Sequence, residues 1–250
     1  MNISVVVPVH NEERYLPIFL EGLRGCNGIN EAVFVLDRCS DRSREIIEAQ
    51  SLPFKVNLVE VKRKTWRNQI AETVRIGCES AQGELVYVLN AGILVNSKMF
   101  DVNWDNLDFC SFGLKEHHAD LSKALVLNLR GIVGRDYEVL KQRMRHRSYG
   151  SGIYAFRRSI YKVVQHQDYD AEDSLFLTTC MDKGFRYHFF RKIFVWHLRP
   201  NNPQNDQRRA KYLVNEYHVG FLRASWYALK FMNPNYFREY AKERAKKVTV

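Results

Sequence analysis

The sequence predicts an α/β protein with a mostly parallel sheet and helices on both faces. Two patterns indicate this class. Short β-branched runs alternate with helical segments through residues 3–89, and the run Ile3–Val9 (ISVVVPV) is apolar throughout, as expected for a strand covered on both faces. A chain of 250 residues, 46% hydrophobic and 26% charged, can bury the core of one large domain, alone or with an appendage.

The first half predicts four strands joined by helices. Asn11 is expected to cap the first helix, with Glu12 and Glu13 in a first turn that the helix dipole makes favourable for acids. The remaining elements are strand 32–36, helix 42–50, strand 54–61, helix 66–81 ended by Gly83, and strand 85–89. Alternation of this kind argues for right-handed crossovers and parallel pairing.

The second half is less regular and ends in a basic, aromatic segment. Its predicted elements are strands 108–114, 124–129 and 150–156, helices 159–164 and 174–183, and a last strand at 193–196. Residues 205–250 hold ten Lys or Arg, four acidic residues and nine aromatics, which predicts a basic amphipathic helical extension. Two interpretations of this extension stay open: a helix packed on the second half, or a helix that binds the interface of an anionic membrane.

The formal net charge of +10 suggests an anionic partner, such as a phosphorylated ligand, an anionic lipid surface or nucleic acid. Base-stacking platforms and groove-reading motifs are not recognisable, so nucleic acid is the least expected of the three. Five cysteines without a C-x-x-C pair predict a reduced, cytoplasmic compartment. No apolar run is long enough to span a bilayer, so a membrane role would be peripheral, at the inner face.

Polar residues follow three of the predicted strands. They are PVHNE at 8–12, DRCSD at 37–41 and NAG at 90–92. Ligands of open parallel sheets bind outside the carboxyl ends of the strands, so these three segments are the candidate site. Neither G-x-G-x-x-G after the first strand nor G-x-x-x-x-G-K-[ST] is present, which disfavours the usual dinucleotide fold and a P-loop NTPase.

Six segments, in order, resemble glycosyltransferase family 2. VVVPVHNEERYLPIFLEGL resembles the family's opening strand and helix, FVLDRCSDRS its aspartate loop, and ESAQGELVYVLNAGILV the segment leading into its metal-binding Asp-x-Asp. GSGIYAFRRSIY resembles the acceptor-side strand, AEDSLFLTTCMDKGFRY the Glu-Asp motif with its helix, and VWHLRP the closing histidine. The resemblance implies the GT-A fold over residues 1–204, with a nucleotide-binding half at 1–98, an acceptor half at 99–204 and the extension at 205–250.

The resemblance also implies roles for individual residues. The nucleotide pocket would be lined by Pro8, Val9, Glu12, Asp37, Asn90, Ala91 and Gly92. Asp37 is expected to accept the N–H of a uracil-like base. Asp173, beside Glu172, would be the general base that takes the proton of the acceptor hydroxyl. His197 would be a metal ligand in relatives that keep the metal. The implied reaction is inverting transfer from a UDP- or GDP-type nucleotide-sugar to a glycan hydroxyl or a lipid-linked phosphate.

Asn90 and Gly92 stand where the family has the two acids of Asp-x-Asp. Magnesium and manganese prefer carboxylate oxygens, so a divalent cation is expected to bind weakly here. One hypothesis is that Arg143, Arg145 and Arg147 fold over the diphosphate and replace the metal, although such a segment is more often a solvated basic loop.

The candidate site residues also have purely structural interpretations. Asp173 could simply be an acid favoured at a helix N-terminus, and His197 a structural histidine without its acidic partners. At the level of the whole protein, the alternative is a catalytically inactive GT-A-like protein that binds a nucleotide-sugar or a partner.

Overall fold

The computed structural model describes residues 1–61, 69–116, 152–167 and 172–198, and all of these belong to one compact unit. The strands are β1 Ile3–Val9, β2 Ile29–Asp37, β3 Lys55–Val61, β4 Leu85–Val88, β5 Ile93–Leu94, β6 Phe109–Glu116, β7 Tyr154–Arg157 and β8 Tyr187–His197. The α-helices are α1 Leu16–Arg24, α2 Ser43–Glu48, α3 Gln69–Ser80 and α4 Glu172–Asp182, and short 3-10 helices cover Ser97–Met99 and Arg158–Lys162.

One sheet contains all eight described strands, in the order β3-β2-β1-β4-β7-β6-β8-β5. The first four are parallel, and the chain winds outward from β1 through β2 to β3 before β4 returns to the other side of β1. Beyond β4 the pairing is mixed, because β7 is antiparallel to both β4 and β6, whereas β6 and β8 are parallel. The predicted α/β class, with helices on both faces of the sheet, is confirmed.

Two cores lie on opposite faces of the sheet. Val5 and Val7 of β1 pack with α1 and α2 on one face, and Val6 packs with α3 and α4 on the other. Because both faces are covered, every second residue of β1 enters a different core, which explains the uninterrupted apolar run. The five cysteines are free thiols, and four of them are buried as core residues.

The start of the first helix differs from the sequence prediction. Asn11 does not cap α1; the helix begins after Tyr15, with Pro17 in its first turn, a position where proline is favoured. Asn11 instead has a positive φ of 53° and accepts a hydrogen bond from the Ser40 amide at 2.8 Å. The polar residues after β1 therefore form a loop rather than a first helical turn.

Several other boundaries also differ. β8 begins at Tyr187 rather than at residue 193, and its pairing with β6 shifts register between Phe112 and Gly113. Arg191 and Lys192 interrupt the apolar pattern within β8, which is why only its last part is recognisable in the sequence. The two-residue strand β5 was not predicted. The predicted strand at 124–129 and the extension at 205–250 lie outside the described residues.

None of the helices in the described ranges is long and apolar enough to cross a membrane.

Candidate functional site

The loops that follow β1 and β2 are joined side by side. The contacts are His10 Nδ1 to the Asp37 carbonyl (2.6 Å), Ser40 N–H to Asn11 Oδ1 (2.8 Å), Glu12 N–H to Ser43 Oγ (2.8 Å) and Glu13 N–H to Asp41 Oδ2 (2.9 Å). Each of these hydrogen bonds joins the two loops, and their lengths are typical of protein hydrogen bonds or slightly shorter. The first two of the three predicted site segments therefore form one surface.

Asp37 is the last residue of β2 and is only 4% exposed. Its carboxylate accepts hydrogen bonds from the neighbouring Arg38, from Nε to Oδ1 at 2.9 Å and from Nη2 to Oδ2 at 3.3 Å. Arg38 reaches this forked geometry with a positive φ of 49°. The sequence reasoning missed Arg38, although its position directly after Asp37 was the available signal. The pair fixes the plane of the Asp37 carboxylate at the edge of the sheet.

The other predicted pocket residues of this side are packed into the same edge. Val9 and Glu12 are buried and Pro8 is half-buried. Desolvation would raise the pKa of Asp41, but the hydrogen bonds that this carboxylate accepts from Ser43 and from the Glu13 amide outweigh it and lower the pKa. Asp41 is therefore a charged acceptor that organises both loops at neutral pH.

A cleft of about 350 Å³ opens at the carboxyl ends of β2 and β3. It is lined by Leu36, Arg38, Cys39, Asp41, Arg44, Glu45, Glu60 and Val61. Arg38 thus contacts both the buried Asp37 carboxylate and an open, polar cavity.

The third predicted segment meets Asp173 at Gly152. Val88 of β4 pairs with Tyr154 of β7 in antiparallel register, which brings Asn90 opposite Gly152. A Cβ atom on Gly152 would lie 2.9 Å from Asn90 Nδ2, and Gly152 has a φ of +67°. The Gly152 amide donates a hydrogen bond to Asp173 Oδ2 at 2.8 Å. Asp173 therefore lies beside the 90–92 loop, with Gly152 in contact with both.

These residues share one edge of the sheet. Asp37 ends β2 and Gly152 precedes β7, and the strands between them are β1 and β4. Neighbouring strands are roughly 4.8 Å apart, so the three steps from β2 to β7 span about 14 Å. That length suits an extended ligand with a base at one end and a reacting sugar at the other.

The Glu-Asp pair begins α4, as expected from its motif. Glu172 is buried and Asp173 is half-buried, and both lie in the first turn of the helix. The positive end of a helix stabilises carboxylates, so this position alone does not require a catalytic role. The hydrogen bond from Gly152 and the nearness of Asn90 are what connect Asp173 to the candidate site.

The metal-ligand set is incomplete in the described residues. His197 pairs with Ile93 across β8 and β5, and the Leu198 amide donates to the Gly92 carbonyl at 2.9 Å, so His197 lies next to the 90–92 loop. This arrangement offers an amide, a backbone carbonyl and an imidazole, without the carboxylates that hard divalent cations prefer. Among the described residues no group of three His, Cys, Asp or Glu could hold a metal ion. The described residues at this edge therefore do not fit magnesium or manganese.

The predicted arginine cluster, Arg143, Arg145 and Arg147, lies outside the described residues.

A buried histidine behind the site was missed by the sequence reasoning. His166 is 4% exposed, and its two ring nitrogens contact the hydroxyls of Tyr154 and Tyr161. Its ring stacks on Phe176 of α4 with centroids 4.3 Å apart. His166 belongs to an irregular segment after the second 3-10 helix, where no periodic pattern marks buried positions.

Known proteins are similar to part of this chain. Residues 4–98 match the model of the family described as Glycosyl transferase family 2. This part of the chain is therefore similar to family 2 glycosyltransferases. It contains the β1 and β2 loops and the 90–92 loop, which are three of the six segments on which the resemblance was based.

A curated relative matches part of the chain. Over 97 residues the chain is 36% identical to undecaprenyl-phosphate 4-deoxy-4-formamido-L-arabinose transferase of Pectobacterium carotovorum. The match covers 37% of this chain and 29% of the relative, so the chain spans less than a third of the length of the curated protein it resembles.

Solved glycosyltransferase structures share the fold of this chain. A mannosyltransferase from Pyrobaculum calidifontis, solved with GDP-Man and Mn²⁺, has a TM-score of 0.66 at 17% identity and covers 99% of this chain and 75% of its own. TarS of S. aureus, solved with UDP-GlcNAc, has a TM-score of 0.60 at 15% identity and covers 93% and 73%. The TM-scores show a common fold, which confirms the predicted GT-A architecture. At identities this low, the similarity shows the fold alone.

Proposed function

We propose that this protein is an inverting glycosyltransferase that moves a sugar from a nucleoside-diphosphate donor to a hydroxyl or lipid-phosphate acceptor without a divalent metal. The observation that carries the proposal is the contact chain at the sheet edge. Asn90 abuts Gly152, and the Gly152 amide holds the Asp173 carboxylate, in line with the joined β1 and β2 loops. The family match over residues 4–98 supports the nucleotide-sugar assignment.

The donor would lie along this edge with its base near Asp37. The Asp37 carboxylate and the Arg38 guanidinium present an acceptor and a donor side by side, which suits the polar edge of a nucleobase. The fold relatives carry GDP-Man and UDP-GlcNAc, so both base types are candidates for this chain. Pro8, Val9 and Glu12 would form the wall beside the ribose, and Asn90, Ala91 and Gly92 would face the diphosphate and sugar.

Asp173 would act as the general base. It takes the proton of the acceptor hydroxyl while the acceptor oxygen forms a bond to the anomeric carbon. The bond from that carbon to the donor diphosphate breaks, and its electron pair leaves with the nucleoside diphosphate, so the configuration inverts. Glu172 is its neighbour in the first turn of α4, where the helix end stabilises negative charge. The Gly152 amide fixes one carboxylate oxygen and leaves the carboxyl group oriented for proton transfer.

Without a divalent metal, the negative charge of the diphosphate leaving group must be neutralised by other cations. Neither Asn90 nor Gly92 supplies a carboxylate, and we assign the task to Arg143, Arg145 and Arg147, whose guanidinium groups bind phosphate oxygens in a forked geometry. Positioned cations can stabilise a leaving group as a metal ion does.

The acceptor proposal includes membrane lipids. The curated relative is named for an undecaprenyl-phosphate acceptor, and residues 205–250 carry the basic and aromatic composition of an interfacial helix. We therefore propose a cytoplasmic protein that works at the inner face of the membrane when the acceptor is a lipid phosphate.

The test is release of free nucleoside diphosphate from a panel of UDP- and GDP-sugars, each with EDTA and with manganese. Release that survives EDTA and is lost in Arg145→Ala supports the proposal. Release that requires manganese and persists in Arg145→Ala rejects metal independence. Binding of a nucleotide-sugar with no release under any condition would favour the inactive binding protein, which the absence of carboxylates at Asn90 and Gly92 makes the second candidate.

A further inference from the structure

His166 is a buried titratable residue that the proposed chemistry does not use. Its Nε2 contacts the Tyr154 hydroxyl, its Nδ1 lies 3.2 Å from the Tyr161 hydroxyl, and its ring stacks on Phe176 at an interplanar angle of 13°. The stack sets the plane of the imidazole, and the two hydroxyl contacts set its rotation within that plane. The side chain is therefore held in a single orientation.

The partners of His166 lie on the two elements that form the Gly152–Asp173 contact. Tyr154 is in β7, two residues after Gly152, and Phe176 is in α4, three residues after Asp173. Residues three apart on a helix share a face, so Asp173 and Phe176 lie on the same side of α4. The rings of Tyr154 and Phe176 also contact each other directly, with centroids 5.8 Å apart. His166 therefore connects β7 to α4 through Tyr154 and Phe176, next to the hydrogen bond between Gly152 and the Asp173 carboxylate.

An apolar side chain could be buried at this position without polar partners. Burying an imidazole instead costs free energy unless both ring nitrogens are hydrogen-bonded. Burial lowers the pKa of His166 to about 3, so the ring is neutral and can donate from one nitrogen and accept at the other. Burial likewise raises the pKa of both tyrosine hydroxyls, which stay protonated. The linkage thus adds directional bonds behind Asp173 without adding a charge.

We propose that His166 is a positioning residue for Asp173, joining β7 to α4 so that the Asp173 carboxylate stays against the Gly152 amide. The proposal rests on the function assigned to Asp173 above. A general base must lie within hydrogen-bond reach of the proton it takes, and small misplacements of a catalytic group reduce the rate of the chemical step. His166 would therefore act on turnover rather than on donor binding.

The test uses the full chain and the variant Tyr154→Phe, which removes the hydroxyl on the β7 side and keeps the ring. The matched control is Tyr87→Phe, because Tyr87 is equally buried and its hydroxyl bonds to the Met99 carbonyl in the other core. The first readout is hydrogen exchange of the Gly152 amide by NMR, normalised to the amide of Val6 in β1. The second is kcat and KM for nucleotide release.

We expect Tyr154→Phe to speed exchange at Gly152 about tenfold and to lower kcat by a similar factor with KM unchanged, because a local opening is favoured by the lost bond. Tyr87→Phe should change neither readout. His166→Gln, which keeps a donor and an acceptor, should retain more Gly152 protection than His166→Leu. Exchange at Gly152 that is the same in Tyr154→Phe and in the unaltered chain would overturn the proposal.

The two readouts separate this proposal from the proposed function. If Gly152 exchange responds as expected and no donor is turned over by any form of the protein, the linkage stands as a structural device and the role assigned to Asp173 fails. If turnover is found but neither exchange nor kcat responds to Tyr154→Phe, the role of His166 fails and that of Asp173 is kept.

Discussion

The two ends of the candidate site are stabilised in different ways. At the β1 and β2 end, the loops are joined by side chains that bond to backbone groups, mostly at partly exposed positions, as in the pairs Asn11–Ser40 and Asp41–Glu13. At the β4 and β7 end, one hydrogen bond from Gly152 to Asp173 is backed by a buried aromatic cluster around His166.

This contrast indicates where precision is required. Water can replace a hydrogen bond in an exposed loop, so the exposed bonds Asn11–Ser40 and Asp41–Glu13 each contribute little and this end can adapt to a ligand. Packing behind Asp173 cannot be replaced in that way, because a displaced buried ring leaves unsatisfied groups and a cavity. Binding would tolerate small adjustments, and proton transfer would not.

The largest effect is expected from Asp173→Asn. With water or a hydroxyl acceptor, loss of a general base should reduce nucleotide release by about 10²- to 10⁴-fold while donor affinity stays within a few-fold. The matched control is Asp182→Asn at the other end of α4, which should keep full activity. Turnover of Asp173→Asn within twofold of the unaltered chain would remove Asp173 from the mechanism.

The next effect is a pH dependence of stability that comes from His166. Its pKa is about 3 in the folded chain against an ordinary 6.5, so between these values the unfolded state binds a proton that the folded state excludes. The contribution is complete above pH 6.5 and is lost as the pH falls towards 3, with a slope of about 1.4 kcal/mol per pH unit. The tyrosines that contact it have raised pKa values and do not titrate in this window.

Urea unfolding from pH 7 to 4.5 measures this slope. His166→Gln should flatten it relative to the unaltered chain, while substitution of the exposed His188 by Gln should leave it in place. Subtracting the variant curve removes the contribution of the carboxylates. Equal slopes in all three proteins would show that His166 is not the source.

A smaller effect is expected from Gly152→Ala. A non-glycine residue at positive φ costs about 1–2 kcal/mol, and the new methyl group would displace Asn90, whose Nδ2 would lie 2.9 Å from it. Gly184→Ala is the matched control, because Gly184 also has a positive φ of 82° but has nothing within 4 Å of the added carbon. Thermal unfolding should show a loss in both variants, and only Gly152→Ala should also weaken nucleotide release. Equal release rates in Gly152→Ala and Gly184→Ala would show that the position of Asn90 does not affect turnover.

The smallest effect is expected at the nucleotide end. Ser43→Ala removes the acceptor of the Glu12 amide. We expect a loss of about 1 kcal/mol of stability. Because the same bond joins the two loops, we also expect donor affinity to fall about fivefold, with kcat unchanged. Ser40→Ala is the control, since the main bond of Ser40 runs from its backbone amide and is kept. Isothermal titration with the best donor measures both. A kcat that falls in Ser43→Ala while affinity is kept would reverse the contrast between the two ends.

The sequence was sufficient for the fold class and for the adjacency of the polar segments at one sheet edge. The apolar run of β1 and the alternation with helices predict the parallel half, and the polar segments after β1, β2 and β4 are adjacent in the structure because their strands are neighbours. Asp173 could be connected to them only through the family resemblance, because the contact with Gly152 spans 21 residues and depends on the antiparallel placement of β7.

Features that depend on tertiary packing could not be predicted. Arg38 takes its role from an unusual backbone conformation, and His166 from partners on β7, α4 and a 3-10 helix. Asn11 was assigned to the wrong contact because capping residues also serve loops, and only the position of Ser40 decides between the two.

The central claim is that one sheet edge binds a sugar nucleotide between Asp37 and Asp173. Its most direct test is an amide chemical-shift titration of the full chain with UDP and GDP in the presence of EDTA. The account predicts that the largest shifts fall in residues 9–12, 37–41 and 90–92 and at Gly152. Saturable binding with shifts confined to other parts of the described chain, or no shift with either nucleotide, would contradict it.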